Sequence, residues 1–546
     1  MISDVLAQAA GLRTLLASDG GHGLGTAHYE AVIACAERLS RSGHARGAFE
    51  LVESVIPTLR DENRHYRIRL EVQALRALYL AYSDAECLER ARVAAEKFSS
   101  VASTYESEYA QLQIHEAAAL IRVNRVTEAI EKLDRISAVW RTRPDSLPLA
   151  MCCGFHATAY IALGDWLAAK RYCLEQLVSA RRLGSDYLEG AALGNLCIAE
   201  RGRCRYLAAE DAGKESLVAY EKAGAIPQLA HVSRSLAITY LKWGRAKEAE
   251  AEITRSLAEA ASVLRGANLW YGKLLLSQAR MHSGNTEGAL EELRTRFYES
   301  GDIRESRPEL LRLEYLGDVE LEQGHAEPAL KRYDEVLPHA LALIPRGDVV
   351  AELRRRRAEC FVMLDRAQES YDEAKEALAL CLELGDRYEE AATYRTLALA
   401  AAALGKHDEA RKHFEHGFAM YDDIETPYEW GKLWMSYGDW LCGSHAGAYD
   451  SLDGAREAYR AACDHFEHMG AELKLTHARQ RMAALEQRLR DDGVHEHPVG
   501  EKPRPRRRPS VDRELQRRVQ WRTIRSGSSP GTGRCSRCSS RSPRWR

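Results

Sequence analysis

The sequence lacks the features that mark several large classes of protein. It has no run of 18 apolar residues, so a membrane-spanning helix is not expected. Its start, Met1-Ile2-Ser3-Asp4, has neither the basic nor the apolar segment of a secretion signal. Gly and Pro are sparse between residues 30 and 490, and clusters of β-branched residues are absent, so strands are not expected. An all-α fold is therefore predicted.

Motifs for catalysis and cofactor binding are also missing. The sequence has no GxxxxGK[ST] phosphate loop, no GxSxG nucleophile motif, no HExxH zinc motif and no strand-anchored GxGxxG. No catalytic residue, cofactor or metal site is therefore predicted. The thirteen cysteines are odd in number and are scattered through helix-like segments. This usage is typical of reduced thiols, so we expect a cytoplasmic protein.

What the sequence does contain is a repeat of about forty residues. The glycine of the turn Lys242-Trp243-Gly244-Arg245 recurs, as Gly or as another turn residue, at steps of 40 or 41. The ten positions are Gly43, Asp84, Asn124, Gly164, Cys204, Gly244, Gly284, Gly324, Asp365 and Gly405. Such residues tolerate the left-handed conformation at the end of a helix to different degrees. A period of this length indicates an array of helical repeats.

Small residues accompany each turn at fixed distances. Seven residues before it stand Ala36, Ala77, Ala117, Ala157, Cys197, Ala237, Ser277, Gly317, Ala358 and Ala398. Five residues after most turns stand Ala48, Ala129, Ala169, Ala209, Ala249, Ala289, Ala329, Ser370 and Ala410. We predict that both sets lie where the two helices of a hairpin cross, because large side chains would keep the backbones apart. A single hairpin cannot bury its apolar face, so the units must stack.

These residues resemble the tetratricopeptide repeat. The matching positions of two units are Leu236-Ala237, Tyr240, Gly244 and Ala249, and Leu316-Gly317, Gly324, Ala329 and Tyr333. The family's usual unit has about 34 residues, and the proline that often closes it is mostly missing here. The longer unit is similar to the variant in sensory arrays of large bacterial regulators of the maltose-regulator type. The resemblance covers residues 30–490 and implies a right-handed superhelical solenoid of about eleven helix-turn-helix hairpins.

The predicted organisation has three parts. Residues 1–29 form a lead-in helix, and residues 30–490 form the array. Its eleventh unit, around Gly438 and Ala458, has an insertion in its turn, and a last helix at 471–490 caps the array. Residues 491–546 form a basic tail whose composition cannot bury a core, so we expect it to be disordered.

The tail differs from the array in charge and composition. From Lys502 onward there are fifteen Lys and Arg against two Asp and Glu, a net charge of +13, whereas the rest carries −16. After Gln520 the residues are those that GC-rich codons give when they are read out of frame. A shift of two bases allows a segment that resembles the start of the ATPase module of sigma-54-dependent bacterial regulators. One hypothesis is therefore a frameshifted tail on a sensory arm that lacks its output domain.

A partner-binding groove is the remaining candidate site. In tetratricopeptide arrays the first helix of each unit lines the concave face. The resemblance then places these residues toward the groove: Arg234, Leu274, Gln278, Glu314, Asp318, Arg355, Glu359 and Arg395. Their alternating charge favours an extended or helical partner segment of mixed charge, although the same pattern also suits plain solvation.

The predicted function is recognition of a protein, peptide or small effector in a bacterial signalling or transcriptional regulator. A free-standing scaffold that assembles a protein complex is the first alternative, and an enzyme is the second. The acidic charge of the array disfavours direct DNA binding.

Overall fold

The computed structural model describes residues 2–18, 26–59, 64–143, 145–259, 267–294, 307–424, 426–443 and 449–491. The chain divides into a unit of residues 1–486 and a second unit of residues 487–546. The predicted tail, from residue 492, lies outside the described residues, as does part of the predicted insertion, 444–448. All regular structure in the described ranges is helical.

Twenty-four α-helices are described. The first twelve are α1 Ile2–Ser18, α2 Thr26–Arg41, α3 Ala45–Val55, α4 Arg64–Leu80, α5 Asp84–Lys97, α6 Glu106–Arg122, α7 Val126–Trp140, α8 Leu147–Ala162, α9 Trp166–Arg182, α10 Asp186–Gly202, α11 Tyr206–Ala223 and α12 Ile226–Trp243. The others are α13 Ala246–Glu259, α14 Ala267–His282, α15 Thr286–Arg294, α16 Arg307–Glu322, α17 Ala326–Leu343, α18 Asp348–Met363, α19 Ala367–Leu384, α20 Arg387–Ala403, α21 His407–Tyr421, α22 Pro427–Gly443, α23 Tyr449–Met469 and α24 Glu472–Asp491.

The helices from α2 to α23 pair in order into eleven antiparallel hairpins, and each hairpin packs on the next. This confirms the all-α array of about eleven units. Helix α24 follows the eleventh hairpin, where the capping helix is predicted. The helix α1 precedes the first hairpin, whose own first helix begins at Thr26. The predicted boundary at residue 30 therefore lies inside α2.

The turn of each of the first ten hairpins is closed by one residue with a positive φ angle. Nine of the ten predicted positions adopt this conformation, including the non-glycine residues Asn124 at 61°, Cys204 at 55° and Asp365 at 57°. The tenth prediction, Asp84, is wrong, because Asp84 is the first residue of α5 and Tyr82 has the positive angle, 59°. No glycine or asparagine stands in this turn, so the periodicity alone placed it two residues late.

The small residues lie where the helices of a hairpin cross. The hydroxyl of Ser370 donates a hydrogen bond of 2.7 Å to the carbonyl oxygen of Ala358, which joins the two predicted crossing positions of one unit. Ala237 and Ala249 of another unit are fully buried. In the hairpin that Tyr82 closes, the thiol of Cys87 lies 3.6 Å from the carbonyl oxygen of Leu75. Cys87 is therefore the small crossing residue of that unit.

Hairpins that are far apart in the sequence also touch. The indole nitrogen of Trp166 donates to the carbonyl oxygen of Gly385 at 3.3 Å, and Arg205 pairs with Asp423 at 3.2 Å. A Cβ atom on Gly244 would lie 2.8 Å from the Cβ of Tyr428. We call these contacts the seam. They join segments about 180 to 220 residues apart, so successive turns of the solenoid pack directly on each other.

The glycine at position 164 is predicted to be essential to the seam. Its φ angle is +72°, and a Cβ atom there would lie 2.4 Å from the carbonyl oxygen of Leu384. Gly164→Ala is therefore expected to lower the free energy of unfolding by the cost of a left-handed alanine, about 1–2 kcal/mol, and by about 1–3 kcal/mol more for the clash. Chemical denaturation followed by circular dichroism measures the sum of these two losses.

Gly324→Ala is the matched control for the seam. Its φ angle is +84°, but a Cβ atom there would meet nothing within 4 Å. This variant should therefore lose only the free energy that a left-handed alanine costs, about 1–2 kcal/mol. Equal losses in the two variants would contradict the seam contact.

Candidate partner-binding surface

The predicted groove residues all lie on first helices of hairpins. Arg234 is on α12, and the others follow on α14, α16, α18 and α20. From α14 onward most are buried rather than displayed. The residues under one-tenth exposed are Leu274, Gln278, Glu314, Asp318, Arg355 and Arg395. The side chain of Glu359 is 15% exposed.

Arg355 lies at the centre of one ion-pair network. Its Nη1 donates to Glu359 at 2.7 Å, and its Nε donates to Glu389 at 2.6 Å. Glu359 also accepts a hydrogen bond of 2.5 Å from Arg395. Burial raises the pKa of Glu359, but the charges of Arg395 and Arg355 outweigh it and hold that pKa well below its usual value. The predicted residues of α18 and α20 therefore come together, as partners of one another.

Asp318 is the centre of a second network. It accepts hydrogen bonds from the amide of Gln278 at 3.1 Å, from the hydroxyl of Tyr333 at 2.8 Å and from the guanidinium of Arg356 at 2.5 Å. Glu314 lies 3.5 Å from Arg356 and is completely buried. Burial raises the pKa of Glu314 far above its ordinary value, despite the charge of Arg356.

The sequence reasoning missed several members of these networks. Arg356 is adjacent to Arg355 within a run of four arginines, and both face the concave side, whereas the outer two pair with Glu373. Glu389 and Glu429 stand one repeat apart. Glu389 forms an ion pair with Arg355, and Glu429 forms one with Lys432. The arginine run and the forty-residue spacing of these carboxylates were the available signals. In the C-terminal half, many charged side chains of the first helices thus bind one another.

Glu352 gives this half a pH dependence that can be measured. Burial and the nearby charge of Glu389 raise the pKa of Glu352 from 4.5 to about 7. A carboxyl with a raised pKa stabilises the fold below the pKa of the unfolded chain, and that stability is lost as the pH rises through 7. The wild type is therefore expected to lose about 2 kcal/mol relative to Glu352→Gln between pH 5 and pH 7.5. Denaturation of both proteins at both pH values measures this, and an unchanged difference would contradict it.

The N-terminal half presents a different concave surface, which we call the Arg–Tyr cluster. Its members are Arg41, Arg76, Arg122, Arg201, Arg234, Tyr79, Tyr82 and Tyr187. They stand on the first helices α2, α4, α6, α10 and α12, with Tyr82 in the turn after α4. Arg234 is the one predicted groove residue in this cluster.

Aromatic rings hold the arginines of the cluster in place. The guanidinium of Arg122 lies 3.6 Å from the ring centre of Tyr79 and 4.5 Å from that of Tyr82. Arg41 and Arg76 both lie over the ring of Tyr187, at 5.5 and 5.2 Å. Such contacts are favourable and orient the planar guanidinium groups.

The cluster is electropositive. Desolvation by the surrounding protein lowers the pKa of His231, and the charges of Arg234, Arg201 and Arg122 lower it further. The imidazole of His231 is exposed to solvent, and the three arginines lie near it. Burial also lowers the pKa of Arg201. The site therefore disfavours a further cation.

The described residues contain neither a membrane-spanning helix nor a cluster of metal ligands. None of the described helices is long and apolar enough to cross a membrane. Within the same ranges, no group of three His, Cys, Asp or Glu side chains could hold a metal ion.

One segment of the array matches a known family of repeats. Residues 349–423 match the model of the tetratricopeptide repeat family. This segment covers the hairpins α18–α19 and α20–α21, whose turn and crossing geometry recurs along the array. These two hairpins therefore match the tetratricopeptide repeat, and the other hairpins of the array share their helix-turn-helix form. The similarity to sigma-54-dependent regulators stays a prediction.

The array of hairpins is also similar to solved structures at low identity. A Rap protein complexed with Competence and Sporulation Factor is 15% identical, with a TM-score of 0.40, over 70% of this chain and 99% of that protein. The apo quorum sensor NprR from B. thuringiensis is 13% identical, with a TM-score of 0.37, over 76% and 97%. The human IFIT1 dimer with m7Gppp-AAAA is 14% identical, with a TM-score of 0.41, over 71% and 82%. No curated protein matches the sequence.

Proposed function

We propose that this tetratricopeptide array recognises an extended segment of a partner protein on the concave side of its N-terminal half. The observation that carries the proposal is the contrast between the two halves of that side. From α16 to α22 the charged side chains are buried and bind one another. From α2 to α12 the arginines of the Arg–Tyr cluster are partly exposed, and Arg41, Arg76 and Arg122 lie over tyrosine rings.

The array acts, in this proposal, as the sensing part of a bacterial signalling or transcriptional regulator in the cytoplasm. The resemblance of the long unit to sensory arrays of bacterial regulators supports this role. In this role, binding of the partner is communicated to an output domain. Binding, rather than catalysis, is the proposed activity.

A free-standing scaffold remains the alternative function. The eleven hairpins and the seam build an extended surface with no need of an output domain. The genomic DNA beyond codon 520 distinguishes the two functions. A regulator predicts an ATPase with a phosphate loop and a helix-turn-helix in another frame, whereas stop codons in all three frames favour the scaffold.

The binding proposal can be tested with the full chain and a library of random dodecapeptides displayed on phage. We expect selection of peptides that bind with micromolar or tighter affinity in isothermal titration calorimetry. The double variant Arg76→Gln/Arg122→Gln should weaken their binding, whereas Arg171→Gln, on the outer helix α9 and 61% exposed, should not. Failure to select any peptide, or equal binding by all three proteins, would contradict the proposed surface.

A further inference from the structure

The Arg–Tyr cluster carries more positive than negative charge. Four of its arginines, at positions 41, 76, 122 and 201, have two carboxylates as ion-pair partners within the described residues. Glu37 lies 2.7 Å from Arg41 and 2.8 Å from Arg76, and Asp84 lies 3.0 Å from Arg122. Arg201 hydrogen-bonds instead to the carbonyl oxygen of Ser235, at 3.0 Å. An excess of two positive charges remains for a ligand to neutralise.

Arg122 keeps one edge of its guanidinium available. Both of its hydrogen bonds, to the carbonyl of Tyr79 and to Asp84, use Nη1. Across the described part of the chain, its Nε and Nη2 donate no hydrogen bond to a carboxylate or a backbone carbonyl. The side chain is 22% exposed, so water reaches it. This free edge has the geometry that binds a carboxylate through two parallel hydrogen bonds.

Buried polar atoms beside the arginines have no partner of their own. His115 is 4% exposed, and its Nδ1 makes no hydrogen bond within the described structure. Burial, with the charge of Arg76, lowers the pKa of His115 to about 3, so the imidazole is neutral near pH 7. The side-chain oxygen of Gln73 is likewise buried without a donor. Such atoms cost free energy unless a ligand supplies the missing hydrogen bonds.

We propose that the Arg–Tyr cluster binds an acidic peptide segment of a partner protein, with one carboxylate on the free edge of Arg122 and others against Arg76 and Arg201. This inference rests on the proposed function and specifies the chemistry of the partner. It replaces the mixed-charge partner that the sequence suggests, because the carboxylates expected to receive a basic residue, Glu314 and Asp318, are buried, and Asp318 is already paired with Arg356.

A peptide fits this site better than a nucleic acid. Gln73 needs a hydrogen-bond donor, which a peptide backbone supplies at nearly every residue. Residues 1–501 carry a net charge of −16, which repels a long polyanion but tolerates a short acidic segment. Glu37 and Asp84 within the cluster add to this local repulsion.

The test is an array of immobilised dodecapeptides of random sequence, probed with the full-length protein at low and at physiological salt. Bound peptides should be enriched at least threefold in Asp and Glu over the library, and the signal should fall as salt rises. The variant Arg76→Gln/Arg122→Gln should lose this enrichment, whereas Arg171→Gln should retain it. Tyr82→Asn, which suits the left-handed turn and removes one ring from Arg122, should weaken the signal without loss of helical content.

Three outcomes would overturn the inference. Bound peptides that are not enriched in acidic residues, or an enrichment that survives Arg76→Gln/Arg122→Gln, would refute the acidic partner and leave peptide binding itself intact. Competition by single-stranded RNA decamers stronger than by an acidic dodecapeptide would assign the cluster to nucleic acid. Absence of binding to every peptide would refute the proposed function together with the inference.

Discussion

Replacing Arg355 with Gln is expected to lower the free energy of unfolding by about 3–5 kcal/mol, because it leaves the buried carboxylate of Glu389 without its cation. Arg355 is 5% exposed and bonds Glu359 and Glu389, and Glu389 is 4% exposed. Gln has a similar length but no charge. The loss should appear as a lower midpoint in chemical denaturation followed by circular dichroism.

Arg182→Gln is the control for Arg355→Gln. Arg182 lies 3.5 Å from Asp145, and their side chains are 55% and 65% exposed. A pair this exposed contributes at most about 1 kcal/mol. Comparable losses in the two variants would show that water reaches the network around Arg355, and that the C-terminal concave side is an open groove after all.

Ala237→Leu is expected to destabilise the array by about 1–3 kcal/mol through overpacking of a helix crossing. Ala237 is fully buried on α12, opposite the second helix α13 of the same hairpin. Ala251→Leu, on the exposed face of α13, makes the same chemical change and should be nearly neutral. Thermal melting of both variants measures the difference.

Glu250, the neighbour of Ala251 on α13, would be a poorer control for this experiment. It is 34% exposed and pairs with Arg280 at 3.2 Å, so its substitution would also break an ion pair. Equal melting temperatures for Ala237→Leu and Ala251→Leu would mean that the forty-residue register does not place the crossing at Ala237.

The fold could be predicted from the sequence because its determinants are local and repeated. One hairpin is determined by a left-handed turn residue and two small crossing residues, such as Gly244, Ala237 and Ala249. The same three positions recur about every forty residues, so each further hairpin is predicted in the same way. The one error in a turn, at Asp84, arose where Tyr82 replaced the glycine. The tertiary fold imposed a left-handed tyrosine there, which propensity does not suggest.

The candidate site could be predicted only in part. The register correctly placed Arg355, Arg395 and Asp318 on first helices, but it could not show that these residues bind one another. That outcome depends on side chains meeting across the inside of the solenoid and on the seam, which joins residues such as Trp166 and Gly385. Contacts over that sequence distance leave no periodic signal. The Arg–Tyr cluster was missed for the same reason, since Arg76 and Tyr187 stand three hairpins apart.

Hydrogen–deuterium exchange of the full chain, with and without a bound acidic dodecapeptide, tests the division of the concave side most directly. The peptide should slow exchange in α4, α6, α10 and α12, which carry most of the Arg–Tyr cluster. Exchange in α16, α18 and α20 should not change, because their charged side chains already bind one another. Protection confined to α16–α20, or to the outer helices α7, α9 and α11, would contradict this account.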